Sequence, residues 1–224
     1  MTKIHEFYSQ FSCDNHEVVY SYDDSLIENE PMLHRADLKF AIENGGLITK
    51  QFLNRLVETG WLDIQENIYI DSRSHMLMKG WYPCIPGWHH DDVPRTRKDK
   101  QPNYNDTSYF AEHAMMLLNS DIAPTEFVSG EFQIPDVKEG NILYKEWDAR
   151  VEHLIRINPW LYTKSKVRNN VIYFFDARSL HQGTPATQFG WRFFIRATKN
   201  SLVPAKNKIR KNANVYLPEP FAGW

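Results

Sequence analysis

The chain has 224 residues, 42% of them hydrophobic and 14% aromatic, which is enough apolar material for a sizeable core and excludes disorder over most of the length. Lys and Arg number 26 against 28 Asp and Glu, so a net charge of -2 gives no global drive toward nucleic acid or an anionic membrane. Two cysteines, Cys13 and Cys84, are too few for a disulfide scaffold and suit a reducing, cytoplasmic setting. Met1 to Glu6 lacks the pattern of a signal peptide, and the longest apolar runs, such as Ala114 to Leu118, are far too short for a bilayer span.

The first predicted elements are two short amphipathic helices between Pro31 and Gly60. Leu33, Leu38, Ala41 and Ile42 form one apolar stripe, Gly45-Gly46 breaks it, and Ile48, Phe52, Leu56 and Val57 resume it up to Gly60. From Asn67 the rhythm becomes that of short strands: Ile68-Tyr69-Ile70, Met76-Leu77-Met78, Met115 to Leu118, Phe127-Val128 and Ile142-Leu143-Tyr144. A further helix is predicted over Glu146 to Ile157, with Trp147, Val151, Leu154 and Ile155 on one face and packing outside the sheet. Two strong strands follow, Asn170 to Asp176 and Trp191 to Thr198.

No repeat, linker or composition shift marks a boundary, so one domain is expected: residues 1–65 mostly helical, 66–200 a β core, and 201–224 an irregular tail with prolines and basic residues. Helices first and many short strands after predict an α+β, mainly β architecture built on a sandwich or open barrel.

The densest chemical signal is Pro86-Gly87-Trp88-His89-His90-Asp91-Asp92. Residues i and i+2 of a strand share a face, so His89 and Asp91 can present an imidazole and a carboxylate to one point. The same geometry serves His90 with Asp92 on the other face, and the first register is favoured. His181, just past an apolar strand, is the natural third ligand. Two histidines and a carboxylate make a facial triad of the kind that holds Fe(II) in non-haem oxygenases, with zinc a less usual occupant. Arg192 and Arg196, 11 and 15 residues after His181, share a strand face with Phe194, while Trp191, Phe193 and Ile195 share the other. Two guanidiniums beside a metal pocket fit a dicarboxylate co-substrate, because each offers a planar fork to a carboxylate.

From about His75 to Thr198 the sequence resembles the Fe(II)- and 2-oxoglutarate-dependent dioxygenases, whose pattern is His-x-Asp/Glu, a distant His and a basic residue ten to fifteen positions later. The resemblance implies His89, Asp91 and His181 as iron ligands and Arg192 as the partner of the distal carboxylate of 2-oxoglutarate. Arg196 is similar to a second arginine of the taurine-dioxygenase-like branch, and Thr125 to a threonine that touches 2-oxoglutarate there. It also implies a double-stranded β-helix, a jelly roll with helices packed on one side, with Fe(II), 2-oxoglutarate and O2 as cofactor and co-substrates. Cupins share that fold but pair two histidines at i and i+2, where this chain has His89 and Asp91.

Hydroxylation of a small molecule is the expected reaction. A nucleic-acid or protein side-chain substrate stays open through the basic residues Arg95, Arg97, Lys98 and Lys100 and the cluster Lys206 to Lys211. The readings from other classes are a non-catalytic or zinc-binding module and a zinc hydrolase. Trp81, Tyr82 and Trp88 flank the first ligand pair as pocket or core aromatics, and His113 and His153 read as packing or surface residues.

Overall fold

The computed structural model describes residues 3–63, 68–99, 101–106, 111–137, 143–201 and 203–217. Its strands form two main antiparallel sheets, a mainly β, jelly-roll-like arrangement. One sheet runs β2 (Phe11–Cys13), β9 (Tyr173–Asp176), β6 (Glu112–Leu118), β11 (Gly190–Lys199), β5 (Ile68–Leu77) and β4 (Ala36–Asp37). The other is built on the long strand β7 (Thr125–Pro135), which pairs with β1 (Ile4–Ser9), β10 (His181–Gly183) and β8 (Thr163–Lys166). A two-residue pair, β3 (Leu33–His34) with β12 (Lys208–Ile209), ties the tail to the body.

Three helices cover the outer face of the six-stranded sheet: α1 (Asp24–Asn29), α2 (Leu38–Asn44) and α3 (Leu47–Glu58). Ile27, Ala41, Ile48, Phe52 and Leu56 from these helices pack with Ile70, Met116, Phe193, Ile195 and Ala197 from the strands in one core. The α2–α3 break falls at Gly45-Gly46 as the apolar spacing predicts. The start of α3 lacks a side-chain cap of its own, and buried Glu30 supplies one from a distance. Its carboxylate accepts from the amides of Gly46 at 3.0 Å, Ile48 at 3.1 Å and Thr49 at 2.9 Å, which satisfies the orphan donors of the first turn and sets a negative charge at the helix N-terminus. On the far side, α4 (Leu143–Ile157) lays Trp147, Val151 and Leu154 against Phe7, Val128, Phe132 and Ile134 of the four-stranded sheet.

Several sequence expectations change. The first 65 residues carry strands as well as helices, since β1 and β2 join the two main sheets. Leu33 lies in β3 and not in a helix, and α1 was not foreseen. Ile68-Tyr69-Ile70 and Met76-Leu77-Met78 are not two strands, because β5 runs unbroken from Ile68 to Leu77. Leu143 and Tyr144 open α4 instead of forming a strand, and Ile142 lies outside the described residues. The tail expected over 201–224 is described to residue 217 and is irregular apart from β12. Among the described residues no helix is long and apolar enough to cross a membrane.

Candidate metal centre

A cavity of about 380 Å³ lies between the sheets, walled by β5, β6, β9 and β11 on one side and by β7 and β10 on the other. It opens on the face of β11 that carries Arg192, Phe194 and Arg196, while Phe193, Ile195 and Ala197 point into the helix-covered core. The face assignment from strand alternation therefore holds.

His89 does not lie on a regular strand. It forms an isolated antiparallel bridge with His181, each amide donating to the other's carbonyl, at 3.0 and 3.1 Å. Directly opposed residues of an antiparallel pair present their side chains to the same face, so the bridge itself brings the two imidazoles together, with ring centroids 4.6 Å apart. Asp91 follows at a bend, and Asp92 takes a φ of 53° that ends any strand geometry. The ligand atoms of His89, Asp91 and His181 all lie within 4.8 Å of one another, a group that could hold a metal ion.

The loop before His89 is pinned from α4. Asp148 accepts from the Trp88 amide at 2.8 Å and Glu152 from the Trp88 indole N–H at 2.5 Å, and Trp88 is fully buried. Gly87 has a φ of 96°, and a Cβ there would meet the Asp148 carboxylate at 2.9 Å, so both conformation and space call for glycine. This turn lets the Gly87 carbonyl accept from His89 Nδ1 at 2.8 Å, and the Ser179 carbonyl accepts from His181 Nδ1 at 3.1 Å. A carbonyl can only accept, so both rings carry their proton on Nδ1 and turn Nε2 toward the cavity, the arrangement that orients metal-ligating histidines.

Asp91 Oδ2 stands 3.1 Å from His181 Nε2. At that distance either a shared proton or a metal ion bound by both atoms satisfies the pair. The same carboxylate is ion-paired with Arg196. Burial alone would raise the Asp91 carboxyl, but Arg196 and then His181 hold it well below the usual carboxylate range. Burial, reinforced by the neighbouring His181, pushes His89 down to about 4, so its ring is neutral at physiological pH.

The alternative pair is not brought together. His90 points away from the cavity into an aromatic box, edge-on to Phe7, Tyr104 and Trp147 at 5.0, 5.5 and 5.6 Å. Asp92 accepts instead from the Tyr69 hydroxyl at 2.7 Å.

The two arginines differ. Arg196 is engaged by Asp91, whereas Arg192 is only 2% exposed and has no carboxylate within ion-pair distance among the described residues. Its one hydrogen bond to a side chain there is from Nη2 to Thr125 Oγ1 at 3.3 Å, and its Nε has no partner. Burial pulls its pKa down to about 10. The structure thus sets Thr125 on β7 against Arg192 on β11, across the cavity.

Of the other residues singled out, Arg97 is taken up by Asp136 and Asp99, and Arg95 donates to the Tyr144 hydroxyl at 2.8 Å. Lys100 lies outside the described residues. Tyr82 pairs with Tyr216 of the tail, His113 is buried beside Thr198, and His153 is exposed. The sequence reading missed Asp71, Arg73 and His75 of β5 and Arg210 of the tail, all of which line the cavity. The alternation of these three polar residues behind the apolar run Ile68-Tyr69-Ile70 was the available signal.

No known family matches the chain, and no curated protein matches it. Among solved structures it is similar to EvdO2 from Micromonospora carbonacea var. aurantiaca, complexed with 2-oxoglutarate, at 11% sequence identity. That likeness covers 81% of this chain and 72% of the other with a TM-score of 0.38, too loose to bear on the chemistry.

Proposed function

We propose that the protein is an Fe(II)- and 2-oxoglutarate-dependent oxygenase on a double-stranded β-helix, hydroxylating a small molecule. The observation that carries this reading is the pairing of a convergent His89, Asp91 and His181 with a buried, carboxylate-free Arg192 in the same cavity. A structural zinc site needs the first feature and has no use for the second. Burying a guanidinium without a counter-charge is costly, and a bound dicarboxylate supplies the missing charge bidentately.

The donor set fits iron: two imidazoles with Nε2 turned to the cavity and one carboxylate, a combination that leaves sites open for co-substrate and dioxygen. When bound, the metal would supply oxygen activation coupled to decarboxylation of 2-oxoglutarate. The chain's own residues do the rest. Gly87 and Ser179 fix the tautomers, and Arg196 keeps Asp91 ionised and oriented. Arg192 with Thr125 holds the distal carboxylate. Phe175, Met115 and Phe194 give the cavity apolar walls that limit water. The commitment of Arg95 and Arg97 to internal partners favours a small substrate over nucleic acid.

The test is succinate formation from 2-oxoglutarate with Fe(II) and air, beside His181→Ala and a zinc-loaded sample. Succinate in the wild-type iron sample alone supports the reading. Its absence from every sample, with no 2-oxoglutarate binding by calorimetry, moves the assignment to a zinc site or a binding module.

A further inference from the structure

β5 turns Asp71, Arg73 and His75 to the cavity, and four of the charges there are already matched in two ion pairs. Asp71 accepts from Arg210 at 2.7 Å, and Asp91 is paired with Arg196. Arg73, like Arg192, is left over: among the described residues it has neither a hydrogen bond nor an ion pair, and it rests over the Phe194 ring at 6.0 Å. Burial, with Arg210 beside it, disfavours its charge. Strand register makes the two guanidiniums diagonal neighbours on one face, since Arg192 lies opposite His75 and Arg73 lies opposite Phe194, and they part only in what they reach.

Arg192 reaches Thr125 on the β7 side. Arg73 instead stands where the central cavity meets a second one of about 90 Å³, walled by Pro83 and by Arg210, Asn212, Asn214 and Tyr216 of the tail. That space admits a group of a few heavy atoms. Its tail wall is held in place: the Asn214 carbonyl accepts from His75 Nε2 at 3.1 Å, and Tyr82 and Tyr216 exchange backbone hydrogen bonds at 2.8 and 2.9 Å. The amide side chains and the fork of Arg73 together offer the donor-rich surroundings in which carboxylates and phosphates bind.

We infer that Arg73, with the tail segment from Arg210 to Tyr216, forms a second oxyanion subsite that receives the carboxylate or phosphate group of the substrate to be oxidised. The identity of that anion as the oxidised substrate rests on the oxygenase reading, while the subsite stands on the geometry alone. The substrate class is therefore a small organic acid or phosphate ester, its anionic group held from β5 and the tail while the co-substrate's is held from β11 and β7.

The experiment titrates inorganic phosphate and acetate, separately, into the full chain in chloride-free buffer. Each titration is done without additions and again with Mn(II) and saturating 2-oxoglutarate. Saturable binding of at least one probe under both conditions is expected, weakened about tenfold or more in Arg73→Gln and less in Arg73→Lys, which keeps the charge but loses the fork. The tighter probe distinguishes a carboxylate from a phosphate substrate. Affinity for 2-oxoglutarate should fall steeply in Arg192→Gln and stay within about threefold in Arg73→Gln. Probe binding that is absent, or unchanged in Arg73→Gln, overturns the subsite. Equal loss of 2-oxoglutarate affinity in both variants also overturns it, by placing Arg73 in the co-substrate site. Should Arg73→Gln fail to fold, Arg73→Lys carries the same comparison. If the wild type binds phosphate or acetate through Arg73 but never 2-oxoglutarate, the oxygenase reading fails and the subsite remains.

Discussion

The two ends of the cavity carry similar residues in opposite electrostatic states. At the end that carries the candidate triad Arg196 meets Asp91 and Tyr69 meets Asp92, so both carboxylates are partnered. At the other end Arg192 and Arg73 face the same space with no carboxylate within reach among the described residues. Both arginines of β11 stand on one face of one strand, separated along it by roughly 13 Å at the usual rise per residue. Sequence position makes them equivalent, and their neighbours give one a counter-charge and leave the other without one among the described residues. A fold optimised for stability alone has no reason to keep the open end, which is why its charge reads as binding capacity.

The largest expected effect is at the closed end. Asp91→Ala removes a ligand and strands Arg196, so metal binding should be lost outright. Stability should fall by about 1 to 3 kcal/mol, less than for a fully buried pair because the Asp91 side chain keeps 28% exposure. Calorimetric metal titration and thermal melting check both parts, and retained metal affinity would remove Asp91 from the ligand set.

A comparable loss is expected from crowding at the open end. A Cβ on Gly183 would lie 2.3 Å from Cys84 Sγ, so Gly183→Ala should destabilise by about 1 to 3 kcal/mol and displace β10 with His181. Adding Cys84→Ala should recover much of it, measured by denaturant unfolding of the single and double variants. No recovery would show that the close approach is not the cause.

Arg192→Met should do the reverse and stabilise the ligand-free protein by about 1 kcal/mol or more, because it removes a buried charge without a counter-charge. A fall in melting temperature would reveal an internal partner and dissolve the contrast between the two ends.

The effect that is smallest near neutral pH is graded with acidity. Burial pushes His113 down to about 3 from an unfolded value of 6.5. Between those values the unfolded chain takes up a proton that the native one refuses. Stability therefore falls as pH drops below about 6.5, by at most about 1.4 kcal/mol per pH unit for this group. His113→Gln should flatten that acid limb, and an unchanged slope would assign it to other buried histidines such as His75.

What could be read from sequence follows the strength of its periodic signals. β11 was legible because an aromatic and β-branched run from Trp191 to Thr198 carries Arg192 and Arg196 on one face and Trp191, Phe193 and Ile195 on the other, and α3 because its stripe runs without a break. β1 was not, since His5, Phe7 and Ser9 point inward while Ile4 and Tyr8 are exposed, so its apolar residues mark the wrong face. Ile142-Leu143-Tyr144 was too short for periodicity to tell a strand from the first turn of α4. The convergence of His89, Asp91 and His181 was legible by spacing, although regular strand alternation is not what brings His89 and Asp91 together: Asp91 lies at a bend, and a backbone bridge holds His89 against His181. Asp71, Arg73 and His75 escaped notice because polar residues in a strand ordinarily mean a solvated face, and only the tertiary fold shows that this face lines a cavity.

The most direct measurement compares anaerobic binding of Fe(II) and of 2-oxoglutarate in wild type, Arg192→Gln and Arg196→Gln. The account predicts that Arg192→Gln leaves iron affinity unchanged and weakens 2-oxoglutarate by about thirtyfold or more, the equivalent of at least about 2 kcal/mol. Arg196→Gln should chiefly weaken iron. Equal losses of 2-oxoglutarate affinity in both variants, or none in Arg192→Gln, would contradict the division of the cavity into a closed and an open end.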